Sequence, residues 1–170
     1  MTPYFIELIP ITDSNESIDF LLDLFRQTKQ ENLDYIFEGS ILNEFDFIHA
    51  MFNDNTLFFL LYYEGILVGY FWIDTFVGRS CFIHFCFFRH FWGKQTISFG
   101  HKVMRYLFDY FNFDMIAGLV PITNNFAIKY AEQVMNKVGI FPKSIYNPEK
   151  DEHKDAVLFY LCKGEVKNGE

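Results

Sequence analysis

Few side chains in this sequence pair a reactive type with a placement from which they can act. His84 is the most polar residue inside the apolar run Cys81–Phe88. Neutral imidazole accepts a proton near pH 7, so His84 is a candidate base; the plainer alternative is a hydrogen-bonded core histidine. Tyr130 lies in a segment of helical spacing, where a phenol either gives a proton or packs. Asp74 and Glu64 stand near the ends of apolar runs and are further candidate bases. Other chemistries lack their signatures: there is no Gly-x-Ser-x-Gly, His-Glu-x-x-His or Gly-x-x-x-x-Gly-Lys-Ser/Thr pattern. His49, His84, His90, His101 and His153 are dispersed, and no metal site is expected. Cys81, Cys86 and Cys162 are odd in number and sit in apolar runs, which reads as buried thiols.

The composition suits a scaffold for such groups. The 170 residues are 51% hydrophobic and 21% charged, with 23 Phe, 10 Tyr and 2 Trp, which excludes a disordered chain. The length favours one domain over residues 1–163 followed by a polar tail, 164–170. Fourteen basic and 22 acidic residues leave a net charge of −8. A phosphate backbone calls for a positive footprint, so no nucleic-acid partner is expected. The longest run free of charged residues, Met115–Ile128, falls short of the roughly 20 residues that span a bilayer. Met1-Thr2-Pro3-Tyr4 shows no basic-then-apolar signal. The expectation is a cytoplasmic protein without a membrane partner.

Periodicity supplies the elements. Tyr4–Ile9 reads as a strand closed by Pro10. Asp13-Ser14-Asn15-Glu16 then offers caps for a helix that carries Ile18, Leu21, Leu22 and Phe25. A second helix is expected over Ile41–Phe52, with Leu42, Phe45, Ile48 and Phe52 on one side. Thr56–Tyr63, Ile66–Phe76 and Cys81–Phe88 are apolar runs joined by turns at Glu64-Gly65 and Gly78-Arg79-Ser80. Such short turns dictate an antiparallel meander, because parallel neighbours need long crossovers. Runs apolar on both faces call for cover on both sides. Lys94–Phe111 is helical in spacing at Ile97, Val103, Leu107 and Tyr110, and Asp114–Val120 is a strand. A helix follows Ile122-Thr123-Asn124 and is expected to run through Lys137. Strands beginning at Gly139-Ile140 and spanning Ala156–Cys162 close the chain.

The expected class is therefore α/β (α+β), in the order β-α-α-β-β-β-α-β-α-β-β. This order resembles the GNAT superfamily of N-acetyltransferases over essentially the whole chain, and two local matches fall in the right places. Trp92-Gly93-Lys94-Gln95-Thr96-Ile97 follows the fourth strand, where one branch of the family carries Trp-Gly-Lys-Gly-x-Ala. Gln95 and Ile97 stand in place of a glycine and a small residue. Asn124-Asn125-Phe126-Ala127-Ile128-Lys129-Tyr130-Ala131 follows the fifth strand, where members read Asn-x-x-Ala-x-x-Phe/Tyr-Ala. The family's acidic tyrosine position falls on Ala131, one place after Tyr130.

The resemblance implies a mixed, mostly antiparallel central sheet with helices on both faces, its fourth and fifth strands splayed to take pantetheine. It implies an acetyl-CoA-dependent enzyme that moves the acetyl group to a primary amine of a small molecule or protein. Backbone amides of Gly93, Lys94, Gln95, Thr96, Ile97 and Ser98, beside Trp92, would hold the pyrophosphate. Cys86, Phe87 and Phe88 would hold the pantetheine and thioester, with Asn124 fixing the arm from the other side. His84 would act as base and Tyr130 as acid. Arg89 or His90 would reach a phosphate or belong to a solvated loop. The acceptor would be met by the first two helices and the loop Ile145–Lys154. Most aromatic residues fit core packing, and any on an outer face would suit a homodimer interface. The rival reading is a catalytically inactive GNAT-fold protein acting in binding or assembly, as some viral proteins of this fold with altered motifs suggest.

Overall fold

The computed structural model describes residues 4–10, 14–31, 37, 41–147 and 150–167. The elements follow in the expected order: β1 (Tyr4–Ile9), α1 (Asn15–Gln30), α2 (Glu44–Met51), β2 (Leu57–Tyr63), β3 (Ile66–Val77), β4 (Ser80–Phe87), α3 (Lys94–Tyr110), β5 (Met115–Pro121), α4 (Asn125–Val134), β6 (Asn136–Asn147) and β7 (Glu152–Cys162). A single 3-10 turn, Arg89–Phe91, joins β4 to α3. The strands form one sheet ordered β1-β2-β3-β4-β5-β7-β6. Its neighbours are antiparallel except for the parallel pair β4–β5.

Local chemistry accounts for these boundaries. The β2–β3 turn places Glu64 (φ 51°) and Gly65 (φ 80°) in the left-handed region, as a two-residue hairpin turn requires. Ser14 caps α1 by accepting from the Ser17 amide at 3.2 Å, and Asn43 caps α2 by accepting from the Asp46 amide at 3.0 Å. Asp13 lies outside the described residues.

Two helices depart from expectation. α2 begins at Glu44, after its cap, and turns a different face inward. Phe47 and Met51 are buried, while Phe45 is 82% exposed. Phe47 is drawn inward by an aromatic cluster, its ring centroid 5.6 Å from Phe25 and 5.4 Å from Phe37. α4 ends at Val134, not Lys137. Met135 leaves the helix to bury its side chain, and β6 pairs from Asn136, three residues before Gly139.

Helices cover both faces of the sheet. Phe59, Phe71, Phe99, Val103, Leu107, Ile116 and Phe159 form one core beneath α3 and α4. Leu21, Phe25, Phe47, Met51, Phe58, Tyr70 and Trp72 form the other beneath α1 and α2. Burying each such large side chain is worth about 1.5–3 kcal/mol. The Cys81 and Cys86 thiols are free and buried, and Cys162 is free and half-buried.

The site follows from the alternation along β4. Cys81, Ile83 and Phe87 point to the α3–α4 core, and Cys86 points to the α1–α2 core. β4 pairs with β5 only at Ser80–Met115, Cys81–Ile116 and Phe82–Ala117. Beyond these pairs the two strands part, while β3 follows β4 to Phe87 and β7 follows β5 to Pro121. A wedge is left in the middle of the sheet.

Candidate active site

The wedge opens into a cavity of about 290 Å³. Ile83–Phe87 of β4 and Gly118–Pro121 of β5 form its two edges, and Asn124, Phe126, Ala127, Tyr130 and Ala131 of α4 cover it on one side. Strand edges without a neighbour leave amides and carbonyls in need of partners, so the wedge suits an extended, amide-bearing ligand.

At its wide end stands the start of α3. Gly93 caps this helix with φ +140° and ψ −157°, a conformation essentially confined to glycine. The first turn carries Lys94 and no acidic residue, and no side chain caps it. Its leading amides have no carbonyl one turn earlier, which makes the helix start attractive to an anion. The Thr96 hydroxyl donates to the Gly93 carbonyl at 2.6 Å and tightens the turn. Gln95 sits on helical backbone and is exposed, so the residue standing in place of the family glycine leaves the amide path open. From Ile97 onward the amides enter the helical ladder. The Thr96 amide donates to the Gly93 carbonyl at 3.2 Å, so Thr96, Ile97 and Ser98 leave the expected set of amides, which narrows to Gly93, Lys94 and Gln95.

Two titratable groups face the wedge from opposite sides of the sheet. His84 shares the parity of Cys86 and lies flat on Trp72, ring centroids 4.6 Å apart and planes 3° apart. Its Nε2 is 3.1 Å from Asp74 Oδ2, close enough for charge pairing though off the line of a well-formed hydrogen bond. Asp74 also accepts from the Trp72 indole at 3.2 Å and the Thr75 hydroxyl at 2.9 Å. Burial works to raise the Asp74 pKa, but the His84 imidazole, with Thr75 and Trp72, outweighs it and holds the carboxyl below its usual value.

Tyr130 approaches from the α4 side, with its ring edge-on to Phe85 and Phe87 at 5.8 and 5.7 Å. Its hydroxyl is buried and has no hydrogen-bond partner among the described residues. Burial pushes this phenol well above its ordinary pKa, so it keeps its proton. It rests against Gly100 of α3, where a Cβ would collide with the hydroxyl oxygen.

No family model and no curated protein sequence matches this chain. Solved structures do. One is a spermidine N-acetyltransferase from Vibrio cholerae in complex with CoA and spermine: TM-score 0.70, 14% identity, 96% of this chain and 98% of that one covered. A second is the microcin C7 self-immunity acetyltransferase MccE in complex with acetyl-CoA and AMP: TM-score 0.69, 13% identity, 93% and 92% covered. A third is the ribosomal L7/L12 α-N-protein acetyltransferase RimL in complex with coenzyme A: TM-score 0.65, 12% identity, 92% and 98% covered. This chain has the GNAT fold.

Within that fold the expected residues separate. His84, Cys86, Phe87, Trp92, Gly93, Thr96, Asn124 and Tyr130 all line the one cavity. Phe88 does not: it is fully buried beside Tyr70, its amide committed to the Val68 carbonyl at 2.9 Å. The Cys86 side chain turns into the α1–α2 core, where burial pushes its thiol up to about 12, leaving only its backbone to the wedge. Asn124 Oδ1 caps α4 by accepting from the Ala127 amide at 3.1 Å. Arg89 is held at the end of α1, its amide donating to Glu31 Oε2 at 2.7 Å and its Nε to the Glu31 carbonyl. Glu64 stays in the exposed β2–β3 turn, outside the cavity. In the loop Ile145–Lys154, residues 148–149 lie outside the described residues.

Sequence reasoning missed Trp72, Phe126 and Gly100. Trp72 precedes Asp74 by two residues and so shares its strand face. Glycine inside a helix costs about 1 kcal/mol against alanine, which marks Gly100 as a point of close approach.

Proposed function

We propose that this chain is an acetyl-CoA-dependent N-acetyltransferase acting on a primary amine of a small molecule or protein. The observation that carries the reading is the wedge between β4 and β5, with the unpartnered Tyr130 hydroxyl buried on one side and the His84–Asp74 pair on the other. Coenzyme A and acetyl-CoA are named in the complexes of structurally similar acetyltransferases, which supports the choice of co-substrate. Bound acetyl-CoA would supply the acetyl group as an activated thioester.

The chain's own groups divide the work. Gly93, Lys94 and Gln95 offer backbone amides, and the α3 dipole reinforces them, at the site suited to the diphosphate. Unpaired edges of β4 and β5 offer hydrogen bonds to an extended arm. His84 takes the proton of the attacking amine, directly or through water. Its imidazolium is then balanced by Asp74, whose depressed pKa keeps the carboxylate charged at neutral pH. Tyr130, held protonated by burial, gives a hydrogen bond or proton to the departing sulfur. Base and acid on opposite faces keep the two proton transfers apart.

Calorimetric titration of the purified protein with acetyl-CoA tests the reading. A micromolar dissociation constant, followed by acetyl transfer to a panel of amines with kcat lost in His84→Ala, is the expected result. The rival, an assembly protein of the same fold, draws on the exposed Val138, Ile140 and Phe141 of edge strand β6. It gains if millimolar acetyl-CoA gives neither heat nor thermal stabilisation.

A further inference from the structure

Trp92 and Phe126 both line the cavity. Trp92 directly precedes the Gly93 turn, and Phe126 is the second residue of α4. Their ring centroids are 5.9 Å apart with planes at 39°. The two differ in how they are held. The Trp92 indole donates to the Phe87 carbonyl at 2.8 Å, and the Arg89 guanidinium lies 4.9 Å over its ring. Arg89 is anchored in turn to Glu31, so the indole is fixed from behind. Phe126 is 72% exposed, and its one aromatic contact among the described residues is Trp92. A phenyl ring left this open beside an apolar cavity forgoes most of its burial, which a ligand passing beneath it would supply.

We propose that Trp92 and Phe126 form an aromatic strap across the wide end of the wedge, closing on the pantoyl segment of coenzyme A. This rests on the coenzyme reading above. If the diphosphate sits at Gly93–Gln95, the next group toward the wedge is the pantoyl carbon bearing two methyl groups. That branched, apolar group follows the charged one directly, as Trp92 directly precedes the amide turn. Trp92 forms the fixed wall, and Phe126, on the first turn of α4, swings onto the methyl groups. The strap thereby selects a ligand in which an apolar branch adjoins the diphosphate. It does not select nucleotides as such.

Calorimetric titration of wild type, Phe126→Ala and Phe126→Tyr with coenzyme A and with ADP tests this. ADP carries the diphosphate and adenosine but no arm. Phe126→Ala should weaken coenzyme A on the order of tenfold and leave ADP unchanged, and Phe126→Tyr should keep wild-type affinity for both. Tryptophan emission should shift with coenzyme A and not with ADP, and the shift should shrink in Trp92→Phe to what Trp72, the other indole lining the cavity, contributes. Equal weakening of both ligands by Phe126→Ala would place the ring on adenine and overturn the proposal. Unchanged affinity for both would make Phe126 a bystander and overturn it as well. Failure of folded wild type to bind coenzyme A would instead bring down the coenzyme reading, and the strap with it.

Discussion

Replacing Tyr130 by phenylalanine should make this protein more stable and less active. The Tyr130 hydroxyl is buried without a partner among the described residues, and such a group costs roughly 1–3 kcal/mol of desolvation that folding does not recover. Deleting it leaves the ring contacts with Phe85 and Phe87 in place. The gain should therefore approach that full amount, about 2–4 °C in Tm for each kcal/mol in a chain of this size. Transfer should fall about 100-fold or more in kcat, the usual contribution of a positioned acid, with little change in KM for acetyl-CoA. Gly100 gives an independent check. Alanine there should gain about 1 kcal/mol of helix propensity, but its Cβ would meet the Tyr130 hydroxyl, with Val134 Cγ2 at 3.0 Å and Tyr130 Cζ at 3.1 Å. Overpacking of this kind costs about 1–3 kcal/mol, so Gly100→Ala should be neutral to destabilising in wild type. In the Tyr130→Phe background the contact with the hydroxyl is gone while those with Val134 Cγ2 and the ring carbon Cζ remain, so the same change should cost less than it does in wild type. Urea denaturation of the four proteins reads the cycle. Additive effects, or a Tyr130→Phe variant less stable than wild type, would refute the placement of this hydroxyl.

Other consequences are simpler. Gly93→Ala meets no atom within 4 Å of its new Cβ, so its cost is backbone strain alone, about 1–3 kcal/mol in equilibrium unfolding. It should also abolish the calorimetric signal with acetyl-CoA. Asp74→Asn should lower stability at neutral pH. The Asp74 pKa is depressed on folding, so its contribution is present above the unfolded value near 3.8 and is lost as pH falls through the folded value. The difference between wild type and Asp74→Asn should therefore close in acid titrations below about pH 4. Thiol titration of the native protein at pH 8 should find Cys162 reacting first. Burial raises the Cys81 and Cys86 thiols to about 12, so both should react only as the protein unfolds.

The element order could be read from the sequence because apolar runs and turns state it directly. Glu64-Gly65 and Gly78-Arg79-Ser80 leave no room for a crossover, so the β2–β4 meander was forced. The misreadings came from tertiary pull. Phe45 and Phe47 are chemically alike and two residues apart, and only the ring cluster at Phe25 and Phe37 decides that Phe47 goes inward. Lys137 fits a helical pattern as well as a strand, and the pairing of Asn136 with Tyr160 decides for β6. Asn124 stands out in the sequence for a pantetheine contact, and in the structure its Oδ1 accepts from the Ala127 amide, a capping role that the same residue type serves equally well.

The candidate acid shows why position along a helix is a weaker guide than the space around it. Tyr130 precedes by one residue the place where the resemblance puts a tyrosine, and one residue is a rotation of about 100° around α4. A side chain so displaced would ordinarily be stopped by the neighbouring helix. Here the facing residue of α3 is Gly100, and the space a methyl group would fill is taken by the Tyr130 hydroxyl. The phenol thus still lines the wedge, while Ala131, at the expected place, is small enough to line it too. A glycine in one helix and a tyrosine one step early in the next are each unfavourable alone, the first through helix propensity and the second through a buried, unpaired hydroxyl. Together they set the Tyr130 ring on the cavity wall with its hydroxyl turned to Gly100. A chain that kept the fold only as an assembly scaffold would gain from Tyr130→Phe, which removes an oxygen with no partner among the described residues. Loss of transfer in Tyr130→Phe, at higher stability and unchanged KM, would tie this arrangement to the chemistry proposed at the wedge.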